Sequence, residues 1–222
     1  GERTGEVASR LASLSIANFF EATKGKSWPD TYRSGMDLTL HDDAQRLCAA
    51  IRKANADVFT IASTRPGHEK MTTTVVAAFV PLAPRDGAPA IHIGHVGDSR
   101  CYRIRDGRLD QLTRDHTLRN QARDEYPDLD EARIAQIPES VLYRAVGRSD
   151  EVELTIRSLE PAPGDRFLLC SDGVTKMVSA RQILDITQAA DSPDLACQLL
   201  VDLANEAGGR DNITALAVWF DA

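Results

Sequence analysis

Three aspartates share a local setting that suits metal chemistry. Asp98 follows the apolar run Ile91-His92-Ile93-Gly94-His95-Val96, in Gly97-Asp98-Ser99-Arg100. Asp172 follows Phe167-Leu168-Leu169-Cys170, in Ser171-Asp172-Gly173. Asp211 lies in Gly208-Gly209-Arg210-Asp211-Asn212, just before a last apolar run. Each carboxylate falls at an expected strand end, beside or close to glycine, which lets backbone or ligand approach closely. Such a carboxylate is costly to desolvate unless it is paired or bound to a metal. Clustered aspartate oxygens without His or Cys suit Mg²⁺ or Mn²⁺, and two such ions can clamp a phosphoryl group. Taken singly, each aspartate has the simpler reading of a turn former or helix cap.

The elements that must position them are legible as changes of period. Val7, Leu11 and Leu14 recur at helical spacing, and Phe19 and Phe20 close that stripe. Residues 23–40 form a loop rich in Gly, Ser, Pro and Asp. A second helix runs from about Asp42 to Ser63 on the stripe Ala44, Leu47, Cys48, Ile51, Ala54, Val58 and Ile61, stopped by Arg65-Pro66-Gly67. Strands are expected over Thr72–Val80, Ala90–Val96, Arg100–Arg105 and Arg108–Thr113, the last two joined at Asp106-Gly107. Residues 115–140 read as polar and irregular, with one helix near Leu129–Ala135. Strands resume at Val152–Leu159 and Arg166–Cys170. Two helices follow, one opened by the capping box Ser179–Gln182, the other by Ser192-Pro193 and ended by Gly208. The last strand, Ile213–Phe220, is apolar on both faces and is expected to be central and buried. Helices, strands, helices and a final strand predict an α+β fold in a single domain, an antiparallel sheet with helices packed outside it.

Composition excludes several classes. The chain has 222 residues, 26 Lys plus Arg against 33 Asp plus Glu, and a formal net charge of −7. No basic run could build a nucleic-acid face. No apolar stretch approaches the ~20 residues of a membrane span. Cys48, Cys101, Cys170 and Cys197 show no metal-ligand spacing and read as reduced thiols of a cytoplasmic protein. His92 and His95, three apart on a strand, point to opposite faces and are not expected to share a metal. His41-Asp42 and Asp115-His116 read as a helix cap and a loop. Arg100 reads as a structural ion-pair partner.

In order along the chain come Val96-Gly97-Asp98-Ser99-Arg100, Leu112-Thr113-Arg114-Asp115-His116, Leu142-Tyr143-Arg144-Ala145-Val146-Gly147, the segment Pro163–Gly173, and Gly209-Arg210-Asp211-Asn212-Ile213-Thr214. Together they resemble the metal-dependent Ser/Thr protein phosphatases of type 2C (PPM), in their compact bacterial form. Gly5-Glu6-Val7-Ala8-Ser9 is similar to the start of that family's first helix. The resemblance implies two packed antiparallel β-sheets with helices on both outer faces, an α-β-β-α sandwich. It implies hydrolysis of phosphoserine and phosphothreonine on proteins by a metal-activated water, without a phosphoenzyme. Asp172 and Asp211 match ligands of a dinuclear Mn²⁺ or Mg²⁺ centre, and Asp98, with Asp172, matches the holder of a third ion. Residues 115–140 fall where the family carries a flap, and are expected to be mobile and to shape substrate choice. The implied partner is a phosphorylated protein from a Ser/Thr kinase pathway, and the chain is expected to be a monomer.

Four departures accompany the resemblance. The family's phosphate-binding Arg, its first acidic ligand and its Asp-Gly-x-Gly-Gly loop precede the matched helix, and only Gly1 stands at the last position of that loop. The 222 residues are therefore expected to lack the first strands and to be incompetent alone. Met71-Thr72-Thr73-Thr74 replaces Met-Gly-Thr-Thr. Lys176 stands where many members carry Asp. The loop at 23–40 looks longer than in compact members. The rival reading is a non-catalytic domain of the same fold, a pseudophosphatase serving as a binding or regulatory module.

Overall fold

A computed structural model describes residues 2–26, 28–32, 37–81 and 90–221. Gly1 and parts of the 23–40 loop (residues 27 and 33–36) lie outside the described residues. The chain divides into two compact units, the first comprising 1–82, 92–97 and 116–158, the second 83–91, 98–115 and 159–222.

The first unit is built on two long helices, α1 (Glu2–Ala22) and α2 (Asp42–Thr64). Leu47, Ile51, Ala54 and Val58 recur every three to four residues along α2 and are fully buried, as the stripe predicted. The face of α1 differs from expectation. Phe19 is buried as the stripe predicted, but Val7 and Leu14 are exposed, and Ala8, Ala12 and Ser15 are buried instead. Small side chains on this face join Leu47 and Ile51 of α2 in one cluster, so close approach of the helices outweighs the burial of two larger residues. The strands β1 (Val75–Phe79), β2 (Ile91–Val96) and β5 (Thr155–Leu159) form a sheet in the order β1-β2-β5, with β1 and β2 antiparallel in the register Val75 opposite Val96. The 115–140 segment is more regular than expected. It holds α3 (Leu118–Glu125), capped by Thr117, and the single turn α4 (Glu131–Ile134).

The second unit carries a four-stranded antiparallel sheet in the order β4-β3-β6-β7, made of β3 (Arg100–Arg105), β4 (Arg108–Gln111), β6 (Arg166–Cys170) and β7 (Ala215–Trp219). Asp106 and Gly107 both have positive φ, 50° and 73°, the two-residue turn that Asp-Gly favours. The short α5 (Asp172–Thr175) follows β6, and α6 (Ala180–Ala189) begins with the Ser179–Gln182 capping box. Next, α7 (Pro193–Glu206) is capped by Ser192 with Pro193 at its first position. Tyr102, Ile104, Leu168, Val174, Ile183 and Leu200 share this unit's core. The expectation for the last strand fails. Among the described residues β7 lies at the sheet's edge, and Leu216 is exposed on it. An apolar run reads as buried on both faces whether or not a neighbour pairs with it, so pattern alone cannot place a strand within its sheet.

Candidate metal centre

All three aspartates fall in the second unit, at the ends of its strands. Gly97 leads into Asp98 with φ +103°, and a Cβ there would come within 2.4 Å of Thr74 Cγ2, so only glycine makes the turn that delivers Asp98. Burial pushes the Asp98 carboxyl up to about 6, and the charges of Asp172 and Asp115 add to the rise. Asp115 is held by Arg100, whose Nε and Nη2 donate to its two oxygens at 3.0 and 2.7 Å. That is the structural pairing expected for Arg100.

Asp172 opens α5 directly after β6, and Asp211 precedes β7. Two neighbours bring these separate loops together. Ser171 Oγ donates to the Asn212 carbonyl at 2.9 Å and accepts from the Thr214 N–H at 3.0 Å. The Ser171 N–H donates to the Thr214 carbonyl at 3.1 Å. Gly173 completes the contact, because a Cβ there would sit 2.4 Å from the Asn212 carbonyl oxygen. The Ser-Asp-Gly triplet thus carries a division of labour: serine laces the loop, glycine admits it, and aspartate faces its opposite number.

What lies between the two carboxylates is Lys176. Its ammonium is bonded to Asp172 Oδ2 and stands 3.8 Å from Asp211 Oδ2. The Lys176 pKa is raised, first by the hydrogen bond to Asp172, then by the charges of Asp172, Asp211 and Asp98. Lys176 thus bridges Asp172 and Asp211, while Asp98 reaches it only through its charge. The donor chemistry is carboxylate only, which fits a hard divalent cation of the Mg²⁺ or Mn²⁺ kind. The sequence pattern singled out the aspartates but gave Ser171 no part and treated Lys176 only as a departure. The roles of both depend on contacts across the chain, from 171 to 214 and from 176 to 211.

Comparison with known proteins agrees with the motif order. Residues 2–199 match the model of the protein phosphatase 2C family. The chain belongs to that family. It is 33% identical over 216 residues to the Ser/Thr protein phosphatase PstP of Mycobacterium tuberculosis, covering 97% of this chain and 38% of that protein's length. It is 30% identical over 218 residues to the Ser/Thr phosphatase stp of Listeria welshimeri, covering 98% of this chain and 80% of that protein. Among solved structures, PstP/Ppp of M. tuberculosis superposes with a TM-score of 0.78 at 31% identity, covering all of this chain and 85% of that one. The catalytic domain of PstP in complex with two manganese ions superposes with a TM-score of 0.72 at 32% identity, covering 98% of this chain and 82% of that one. The α+β class and the presence of two antiparallel sheets with helices agree with these structures.

Proposed function

We propose that this chain has the activity of a metal-dependent Ser/Thr protein phosphatase, with Asp98, Asp172 and Asp211 among the ligands of its metal centre. The observation that carries the reading is that two strand-end carboxylates from separate loops, Asp172 and Asp211, meet at Lys176, with the charge of Asp98 felt there, in a chain of the protein phosphatase 2C family. Asp172 and Asp211 would hold two Mn²⁺ or Mg²⁺ ions, and Asp98 with Asp172 a third. Bound there, the ions would supply an activated water and neutralise phosphoryl charge. The chain's own part is to hold the loops of Asp172 and Asp211 in register, through the Ser171 lacing and the Gly173 contact.

The substrate would be a phosphoserine or phosphothreonine protein, with the enzyme acting as a monomer in a reducing, cytoplasmic compartment. No helix among the described residues is long and apolar enough to cross a membrane. Residues 115–140 would act as a flap that ranks substrates. Its helix α3 borders an open groove of about 500 Å³, lined in part by Gln121, Glu125, Arg144, Arg148 and Glu153, a mixed-charge surface suited to a peptide. Among the described residues β7 is an edge strand, with one side open to pairing by a further strand.

One observation favours a second reading. Lys176 already neutralises the carboxylates, as a residue would in a pseudophosphatase that had dispensed with metal. A single comparison separates the two. In the full natural chain, Asp172→Asn or Asp211→Asn should lower hydrolysis of a phosphothreonine peptide at saturating Mn²⁺ by at least ~100-fold, since each removes a charged ligand. Equal rates in wild type and Asp211→Asn would end the dinuclear reading. Absence of both turnover and Mn²⁺ binding in the wild type would favour the pseudophosphatase.

A further inference from the structure

A second set of donors lies in the first unit, on α2 and the sheet, and it has no part in the phosphatase chemistry. His41, the cap residue of α2, Asp43 in its first turn, and His92 on β2 each present one donor atom within 4.8 Å of the others. Unlike the aspartates at 98, 172 and 211, this set contains two imidazoles. We propose that His41, Asp43 and His92 form a binding site for a borderline divalent transition ion, Zn²⁺ foremost, joining the start of α2 to strand β2.

Three observations carry the proposal. The first is a buried atom without a partner. His92 is 1% exposed, its Nδ1 is 2.8 Å from Ser158 Oγ, and its Nε2 has no hydrogen-bond partner among the described residues. A buried polar nitrogen left unpaired is costly. With Nδ1–H donating to the serine hydroxyl, Nε2 carries a free lone pair, which is the tautomer a metal requires, and Ser158 plays the orienting part that partners of ligating histidines play.

The second observation is spacing. His41 Nδ1 and Asp43 Oδ2 are 3.5 Å apart. Two donors each ~2.0–2.1 Å from one tetrahedral ion stand ~3.4 Å from each other. The His41 and His92 ring centres are 5.5 Å apart, with planes inclined by 12°. An imidazole bound at the same ~2.0–2.1 Å has its centre ~3.2 Å from the ion, so two such rings at a tetrahedral angle have centres ~5.2 Å apart. Both separations are close to those of a loaded site, and because the rings lie stacked, His41 must turn about its side-chain torsions to aim both lone pairs at one ion.

The third is chemistry and access. Two imidazoles and one carboxylate suit Zn²⁺ and its neighbours in the transition series rather than Mg²⁺ or Ca²⁺. Asp43 is 8% exposed, so its carboxylate sits where a counter-cation is most effective, whereas the His41 side chain is partly open to solvent and offers a way in. Loading has a defined local consequence. His41 Nδ1 now accepts from the Asp43 N–H at 3.2 Å, and an ion would take over that lone pair. With three protein donors, the fourth position would be left to water.

The test uses Co²⁺ as a spectroscopic probe, added to the full natural chain in excess Mg²⁺ so that oxygen-only sites are filled. One equivalent should give the intense visible absorption of four-coordinate Co²⁺, and one equivalent of Zn²⁺ should abolish it. His41→Asn removes the imidazole and keeps a residue type that caps helices well, so it should fold while binding Co²⁺ at least ~10-fold more weakly. If that variant fails to fold, Asp43→Asn carries the same comparison. Only the weak absorption of six-coordinate Co²⁺, or binding unchanged in the folded variant, would overturn the site.

Discussion

Lys176 is a residue whose chemistry opposes that of its surroundings. A divalent ion at Asp172 and Asp211 must displace or share space with its ammonium. The Lys176 side chain is about half exposed, so its pairing is worth only ~0.2–1 kcal/mol after solvent screening. Lys176→Gln should therefore tighten Mn²⁺ binding by ~2–5-fold, read by calorimetric titration, and unchanged or weaker binding would mean that the lysine does not compete for the site. Gly173 tests the lacing. In Gly173→Ala the new methyl meets the Asn212 carbonyl and must push the 211–212 backbone away from Asp172. Changes in such supporting contacts cost ~10–100-fold in metal affinity, and that loss should appear in the same titration, together with a lower melting temperature from the ~1–3 kcal/mol cost of overpacking. The aspartates were legible in the sequence because each sits beside glycine at the end of an apolar run. Lys176 as a counter-ion was not, since the residues it answers to lie up to 78 positions away, at Asp98. The His41, Asp43 and His92 group was hidden for the same reason. In sequence His92 stands near His95, whereas its neighbours in space come from the start of α2.

Elements were legible where burial imposes a period and obscure where it does not. The α2 stripe, the β3–β4 turn and the two capped helices α6 and α7 follow from local pattern and cap chemistry. Helix α3 has no buried residue, so no apolar stripe announces it, and only the Thr117 cap bond to the Asn120 N–H marks its start. The edge position of β7 is likewise a property of neighbours rather than of its own residues. Inside α2, Asn55 is a polar residue on the buried face, and its partners explain it. Its Nδ2 donates to the carbonyls of Ser149 and Asp150, both at 3.0 Å, and its Oδ1 accepts from the Gly147 N–H at 2.7 Å. One amide thus clamps a loop almost a hundred residues away. Asn55→Ala leaves three backbone groups without that partner, at ~1–3 kcal/mol for a buried group left unsatisfied. The expected loss is ~2–4 kcal/mol in urea unfolding, with Ala56→Ser as a control on the same helix that should change stability by no more than ~0.5 kcal/mol.

At the scale of the whole molecule, stability should depend on pH through a histidine that the fold keeps neutral. His116 is 3% exposed, and its Nδ1 accepts the Gly97 N–H at 3.1 Å, which a protonated ring cannot do. Burial, then the stacked His95 ring and the Arg144 charge, lower its pKa from 6.5 to about 3. The sign follows from proton counts. Between about pH 6.5 and 3 the unfolded chain binds a proton at this residue that the folded chain refuses, so the unfolded state gains and stability falls as pH falls. Above that window His116 is neutral in both states and contributes no slope. One proton corresponds to about 1.4 kcal/mol per pH unit, so ~2 kcal/mol should be lost between pH 6.5 and 5 from His116 alone. His92, whose pKa is also lowered by burial, adds to the loss in the same direction. The buried Asp165 acts only further down: burial raises its carboxyl, the hydrogen bonds from Arg105 and the Ala162 N–H and the charges of Arg105 and Arg103 together outweigh this, and its contribution disappears as pH falls below the ordinary aspartate range. The check is urea unfolding across pH 5–8 for wild type and His116→Asn, whose amide oxygen can still accept from Gly97 but takes up no proton. The variant should show a slope shallower by about one proton below pH 6.5. Identical slopes would mean that His116 is already protonated in the fold and that the Gly97 N–H is satisfied in another way.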